Sequence, residues 1–292
     1  MLRLAIPKGS LEEQTLRLLE AADLRVRRGS SRDYHGRVAD ERIDRVSLLR
    51  PQEIPVFVQD GFFDLGVTGR DWVVETGADV EILASLDYAK SGVGSGVKVV
   101  LAIPAQSPAE RAADLPAGSR ISTEYPNLTA GHFAKLGLPV RVFPSYGATE
   151  AKVPEIVDAI VDVSETGSTL RAHGLKIIET LLESEVVLIA GRAAAADPAK
   201  RRAMDDIVTL LLGALRAQGR VLIKLNVSEE RLKELLEVLP AMKSPTVSPL
   251  STEGSYALET VVEKATVNTL IPMLKAHGAT DILELPISKI VP

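Results

Sequence analysis

Short apolar runs alternate with amphipathic stretches along most of the chain, the pattern of alternating strands and helices. Leu2 to Ile6 reads as a buried strand, ended by a Pro7-Lys8-Gly9 turn. Ser10 and Glu13 form a capping box for the next helix, whose apolar face carries Leu11, Leu18, Leu19 and Ala22. Asp64 to Thr68 reads as a strand broken by Gly69, with a helix opening near Asp71. Val80 to Leu86 and Val97 to Ile103 are further strands. Gly92-Val-Gly-Ser-Gly96 lies between them and precedes a strand, so it reads as a flexible crossing between domains.

The middle of the chain repeats the pattern. Arg120 to Thr123 and Val140 to Phe143 read as strands around a helix from Leu128 to Leu136. Ala159 to Val163 is the clearest strand, and it runs through Ser164 to Thr169 into a helix from Leu170. Val186 to Ala190 is another strand. A long helix follows Asp197-Pro198, with Ile207, Leu210, Leu211, Ala214 and Leu215 at core spacing and Gly219 as its stop.

Residues 219–292 read as a separate unit. Arg220 to Asn226 is a strand, and Ser228 caps a helix with Leu232, Leu235, Leu236 and Leu239 on one face. Strands follow at Thr246 to Leu250 and Ala257 to Glu263. A second helix spans Asn268 to His277, with Pro272 tolerable only in its first turn. Asp281 to Leu285 closes the order βαββαβ, the ferredoxin-like arrangement.

Composition narrows the class. At about 150 residues per domain, 292 residues make roughly two domains, or three small ones. Acidic residues outnumber basic ones, 39 to 34, and the net charge of -5 argues against a surface built for nucleic acid. The absence of cysteine excludes disulfides and thiolate chemistry. The first apolar run breaks at Arg3 and Pro7-Lys8, so it lacks a signal-peptide core. No stretch reaches the roughly 18 apolar residues that span a bilayer. A soluble, cytoplasmic protein without a membrane partner is expected.

Asp158 to Leu170 (DAIVDVSETGSTL) carries the strongest chemical signal. A buried strand ends in acidic residues, and a hydroxyl-rich loop then feeds a helix. Backbone N–H groups at a helix start converge on anions, and the dipole favours negative charge there. Thr166, Ser168 and Thr169 add side-chain donors, Gly167 lets the backbone approach, and carboxylates upstream accept from sugar hydroxyls. A phosphate cup beside a sugar-binding acid suits a ribose 5-phosphate moiety. An ordinary strand-to-helix turn with hydroxyl caps is the alternative. Lys8-Gly9-Ser10 is either a second anion site or a plain helix cap. Arg50 and Asp71 stand at element ends, where open α/β sheets place ligand contacts, although the residues by themselves favour surface ion pairing. His35, His132, His173 and His277 show no ligand spacing, and no serine-hydrolase elbow is present.

These segments together resemble the ATP phosphoribosyltransferase family in its long form with a C-terminal regulatory domain. The resemblance runs through Ala5 to Leu11, Leu49-Arg50-Pro51, Asp64 to Asp71, Ser122 to Thr129, Glu150 and Asp158 to Leu170. In the tail it runs through Lys243 to Pro249 and Val267 to Leu274. Ser10 stands where many members carry arginine. The resemblance implies two hinged α/β domains like a type II periplasmic binding protein, here 1–95 with 186–218 and 96–185. Residues 219–292 would be an ACT-like regulatory domain.

The implied reaction joins ATP to phosphoribosyl pyrophosphate, giving phosphoribosyl-ATP and pyrophosphate with Mg2+, in the first step of histidine biosynthesis. Catalytic roles would fall to Asp162 and Asp158. Glu165, Thr166, Gly167, Ser168 and Thr169 would bind phosphoribosyl pyrophosphate, and Lys8, Gly9, Arg50 and Asp71 would bind ATP. L-histidine would inhibit through Ser244, Thr246 and Ser248 in a homo-oligomer, hexamer and dimer. The rivals are another phosphoribosyltransferase and a solute-binding module of the same hinged fold.

Overall fold

The computed structural model describes every residue except Ser31, Asp87, 89–95 and 241–243. Most of the Gly92 to Gly96 crossing, and Lys243 of the tail motif, therefore lie outside the described residues. The chain divides into two compact units, 1–208 and 209–292.

The first unit holds two sheets. One runs in the order β2 (His35–Gly36), β3 (Ile43–Leu49), β1 (Leu2–Pro7), β4 (Leu65–Gly69), β11 (Val186–Gly191) and β5 (Val80–Leu86). β1 pairs in parallel with β3 and β4, while β11 inserts antiparallel between β4 and β5. β4 and β11 are buried along their whole length. That explains their unbroken apolar runs, because both faces of the sheet are covered. Helices α1 (Glu12–Ala21), α2 (Ile54–Gln59), α3 (Arg70–Thr76) and α6 (Arg192–Ala195) belong to this lobe.

The other sheet has the order β10 (Leu175–Ser184), β6 (Val97–Pro104), β9 (Ala159–Ser164), β7 (Arg120–Thr123) and β8 (Arg141–Pro144). β7 pairs in parallel with β8 and β9, and β6 runs antiparallel to both β9 and β10. α4 (Pro126–Leu136) packs Phe133, 1% exposed, into this lobe's core. Burying such a side chain contributes about 1.5–3 kcal/mol. The chain leaves this lobe at β10 and re-enters the first through Glu185 and β11. Two α/β lobes form the expected hinged core, with β2 and β11 antiparallel in the first and β6 antiparallel in the second.

In the second unit, β13 (Thr246–Pro249), β14 (Ser255–Glu263), β12 (Arg220–Ser228) and β15 (Thr280–Pro286) form an antiparallel sheet in that order. α8 (Glu229–Val238) and α9 (Val267–Ala276) complete the βαββαβ order. Every second residue of β12 from Val221 to Val227 is buried, and these pack with Leu235, Leu258 and Leu274. The last turns of α7 (Pro198–Ala217) belong here, because Ile290 N donates to Gly213 O at 2.9 Å.

Four local expectations are corrected. The Ser10–Glu13 capping box does not form: α1 starts at Glu12 with Leu11 at its cap and no side-chain cap bond. A turn centred on Gly9 (φ +100°) brings Glu12 N to Gly9 O at 3.1 Å, and Glu13 pairs outward with Arg17. Ser228 occupies the cap of α8 without a side-chain bond, and Glu229 N donates to Gly254 O at 2.8 Å instead. Pro272 lies beyond the first turn of α9, where the packing of Val267, Leu270 and Leu274 offsets the missing helix bond. β10 was not anticipated. Its pairing with β6 shifts register between Ile177 and Glu179 and again between Thr180 and Leu182, which breaks the alternation that marks a strand.

Candidate active site

A cavity of about 510 Å³ lies between the two lobes of the first unit. Ser10 and Leu11 follow β1, Pro51 and Gln52 follow β3, and Asp71 and Trp72 follow β4. The second lobe contributes Glu124 and Tyr125 after β7, Glu150 after β8, and the whole of Asp162 to Leu170 from the end of β9. The site thus gathers the carboxyl ends of parallel strands, where open α/β sheets bind ligands.

Glu165, Thr166, Gly167, Ser168 and Thr169 all line this cavity. The loop is tied internally. Gly167 N donates to Ser164 Oγ at 2.8 Å, Thr166 Oγ1 donates to Ser168 Oγ at 2.9 Å, and Arg171 Nη2 donates to Thr166 O at 2.8 Å. Gly167 has φ +72°, and a Cβ there would stand 2.8 Å from Arg171 Nη1 and 3.0 Å from Ile177 Cδ1. Only glycine meets both conditions. The helix that follows, α5 (Ser168–Ala172), is a single turn of 5 residues, shorter than the pattern from Leu170 suggests. So short a helix sums few peptide dipoles. An anion here would meet the loop's own hydroxyls and the first-turn N–H groups, which have no acceptor within the helix.

Asp162 is half-buried beside this loop, and its Oδ1 accepts the Val163 N–H at 2.7 Å. Burial, with the charges of Glu124 and Glu150, pushes its carboxyl up to about 6, against the Val163 bond and the Lys152 ammonium. Three carboxylates crowd one wall. Glu165 adds a buried Oε1 that has no partner among the described residues, an acceptor suited to a hydroxyl donor.

Asp158 does not join them. It precedes β9 at the opposite end from Asp162, about 13 Å away along an extended strand. Arg120 holds it through Nη2–Oδ1 at 2.8 Å and a backbone bond at 2.8 Å, which lowers its pKa. The sequence pattern places both acids near one strand, but strand direction separates them.

Lys8, Gly9 and Arg50 gather at the ends of β1 and β3, outside the cavity lining. Lys8 Nζ sits 3.8 Å from the Tyr34 ring centroid, and Arg50 Nη1 is 3.7 Å from where a Gly9 Cβ would stand. Asp71 lines the cavity yet is 4% exposed and bonded across the lobes, accepting from Tyr125 Oη at 2.7 Å and Ser184 Oγ at 2.6 Å. Ser244, Thr246 and Ser248 are exposed on or beside β13, which pairs along one edge with β14 and ends the sheet.

Sequence reasoning assigned no role to Glu124, Tyr125, Trp72 and Gln52. Glu124 and Tyr125 were visible as polar side chains between a strand and Pro126, the signature of a strand's carboxyl end. Trp72 stacks on Tyr125 with centroids 4.5 Å apart, a contact between lobes that no local pattern announces. Among the described residues no group of three histidine, cysteine or carboxylate side chains is arranged to hold a metal, and no helix is long and apolar enough to cross a membrane.

A cleft between two α/β lobes, with a hydroxyl-rich loop beside carboxylates, defines a two-lobed α/β ligand-binding protein. A family model described as ATP phosphoribosyltransferase matches residues 50–213, and one described as HisG, C-terminal domain, matches 217–289. The chain belongs to the ATP phosphoribosyltransferase family, transferases of histidine biosynthesis. The ATP phosphoribosyltransferase of Koribacter versatilis is 46% identical over 290 residues, 99% of each chain. That of Desulforudis audaxviator is 46% identical over 293 residues, 100% of this chain and 99% of its own. The ATP phosphoribosyl transferase (HisG:HisZ) complex of Thermotoga maritima matches with TM-score 0.60 and 26% identity, covering 72% of this chain and 96% of that one.

Proposed function

We propose that the cavity holds phosphoribosyl pyrophosphate on its second-lobe wall, with ATP brought against it from the first lobe. Residues 165–169 surround the 5-phosphate, and Asp162 accepts from the ribose hydroxyls. The observation that carries this reading is the position of Asp162 directly beside the glycine-hinged hydroxyl loop within one cavity. Lys8, Gly9 and Arg50 offer a cationic edge for the ATP phosphates, and Asp71 lies on the wall that ATP would approach. Asp158 has no part in this reading.

In the transfer, an adenine ring nitrogen of ATP attacks the anomeric carbon as pyrophosphate departs. The sugar carbon gains positive character between the two events, so no protein nucleophile is required. The chain aligns the two substrates, and the nearby Glu124, Glu150 and Asp162 carboxylates stabilise positive charge on the sugar. Burial, with the charges of Glu124 and Glu150, raises Asp162; a divalent cation would offset that charge, and Mg2+ is commonly held by one or two carboxylates together with substrate phosphates. Asp162, with at most one neighbouring carboxylate and the substrate phosphates, would hold Mg2+, which when bound would neutralise the leaving pyrophosphate.

We further infer a cytoplasmic oligomer, hexamer and dimer, inhibited by L-histidine at β13 of the second unit. The test of the whole reading is pyrophosphate release. It should require ATP and phosphoribosyl pyrophosphate together, and release with either alone would overturn it.

A further inference from the structure

The two acidic residues of α3 that face the second lobe are four apart, so they lie on one side of the helix. Asp71 reaches Tyr125 and Ser184. Glu75 reaches further along, to the start of α4. Its side chain is buried, at 6% exposure, and both oxygens are used: Asn127 N donates to Oε1 and Leu128 N to Oε2, each at 2.9 Å. Asn127 Nδ2 also donates to the Glu75 carbonyl at 3.0 Å. α4 has no cap of its own, because Tyr125 at its cap position makes no side-chain capping bond and Pro126 follows. A carboxylate from the other lobe, 52 residues away, thus satisfies the orphan N–H groups and meets the positive end of the helix.

From this geometry we propose that Glu75 is a positioning residue for phosphoribosyl transfer. It pins the start of α4, and hence Glu124 and Tyr125 of the cavity wall, against the first lobe. Parting the lobes along this edge would strip a buried carboxylate and two helix N–H groups of their partners together. This edge is therefore the fixed side of the cleft. Any opening of the cleft occurs away from this edge. The inference rests on the cavity being the reaction site, and amide exchange reads the pin without any substrate.

The test uses full-length Glu75→Ala and Glu75→Gln, compared with the parent by hydrogen exchange of the peptide spanning 126–136 and by steady-state kinetics. In Glu75→Ala the first-turn amides should exchange about tenfold or more faster, and kcat should fall about 10- to 100-fold with both KM values within about threefold. Glu75→Gln, which keeps one acceptor oxygen and the side-chain volume, should lie between the two and covers the case in which the alanine variant fails to fold. Unchanged exchange, or parental kcat in folded Glu75→Gln and Glu75→Ala alike, overturns the proposal. A rise in one KM at constant kcat also overturns it, because that is the mark of a substrate contact. If pyrophosphate release proves independent of either substrate while exchange still accelerates, the reaction reading fails and the pin stands.

Discussion

The Tyr125 hydroxyl donates to Asp71 Oδ2 at 2.7 Å across the two lobes, and the Trp72 ring lies stacked on the same tyrosine. Burial, together with the Asp71 charge and bond, raises the phenol pKa, so it stays a donor throughout the working pH range. Tyr125→Phe leaves a buried carboxylate oxygen without that donor. Losing a bond to a charged group should cost about 1.5–3 kcal/mol, read as a lower midpoint in urea denaturation.

The loop after Asp162 makes a separate prediction. Thr169→Ala removes one donor, and Gly167→Val adds a Cβ where φ is positive and Arg171 and Ile177 stand close. Each should weaken phosphoribosyl pyrophosphate by about 10- to 150-fold in equilibrium titration, the equivalent of one lost bond to a charged group. Parental affinity in both folded variants would remove the phosphate assignment.

Asp162 and Asp158 should behave oppositely. Asp162→Asn should lower turnover sharply with little change in melting temperature. Asp158→Asn should leave turnover intact, and because its pair with Arg120 is largely exposed, the stability loss should be at most about 1 kcal/mol. Comparable turnover losses in the two variants would contradict the geometry.

Acid stability should report on Asp64. Its buried side chain pays for desolvation, which alone raises its pKa, but bonds from Arg3 and Lys200 outweigh that and lower it to about 2. A folded-state pKa below the unfolded value contributes stability that is complete above about pH 4 and lost as pH falls toward 2. The contribution is about 2 kcal/mol. Asp64→Asn should therefore be less stable at neutral pH and show a flatter denaturation profile between about pH 4 and 2.

Histidine sensitivity should reside in β13. Thr246→Arg with Ser248→Arg, both exposed, should raise the histidine concentration for half-inhibition by about tenfold or more without altering uninhibited turnover. Equal inhibition of parent and variant would place the effector elsewhere.

Much of this protein is set locally and is legible along the chain. β5 and β7 fall where the apolar runs end, and the 165–169 loop declares itself because a strand, a glycine and clustered hydroxyls are sequence neighbours. Periodicities of two and of three to four residues need no knowledge of partners. Partners are what the chain alone leaves open. Asp158 and Asp162 look equivalent in one dimension, and only the placement of Arg120 beside the start of β9 makes the first a structural ion pair. β10 is hidden because its alternation is broken by pairing irregularities with β6, a strand distant in sequence. Asp71 meets Ser184 from 113 residues away, and Glu75 caps a helix in the other lobe. Such contacts join segments far apart in sequence, and their free energy depends on burial and geometry that exist only in the assembled core.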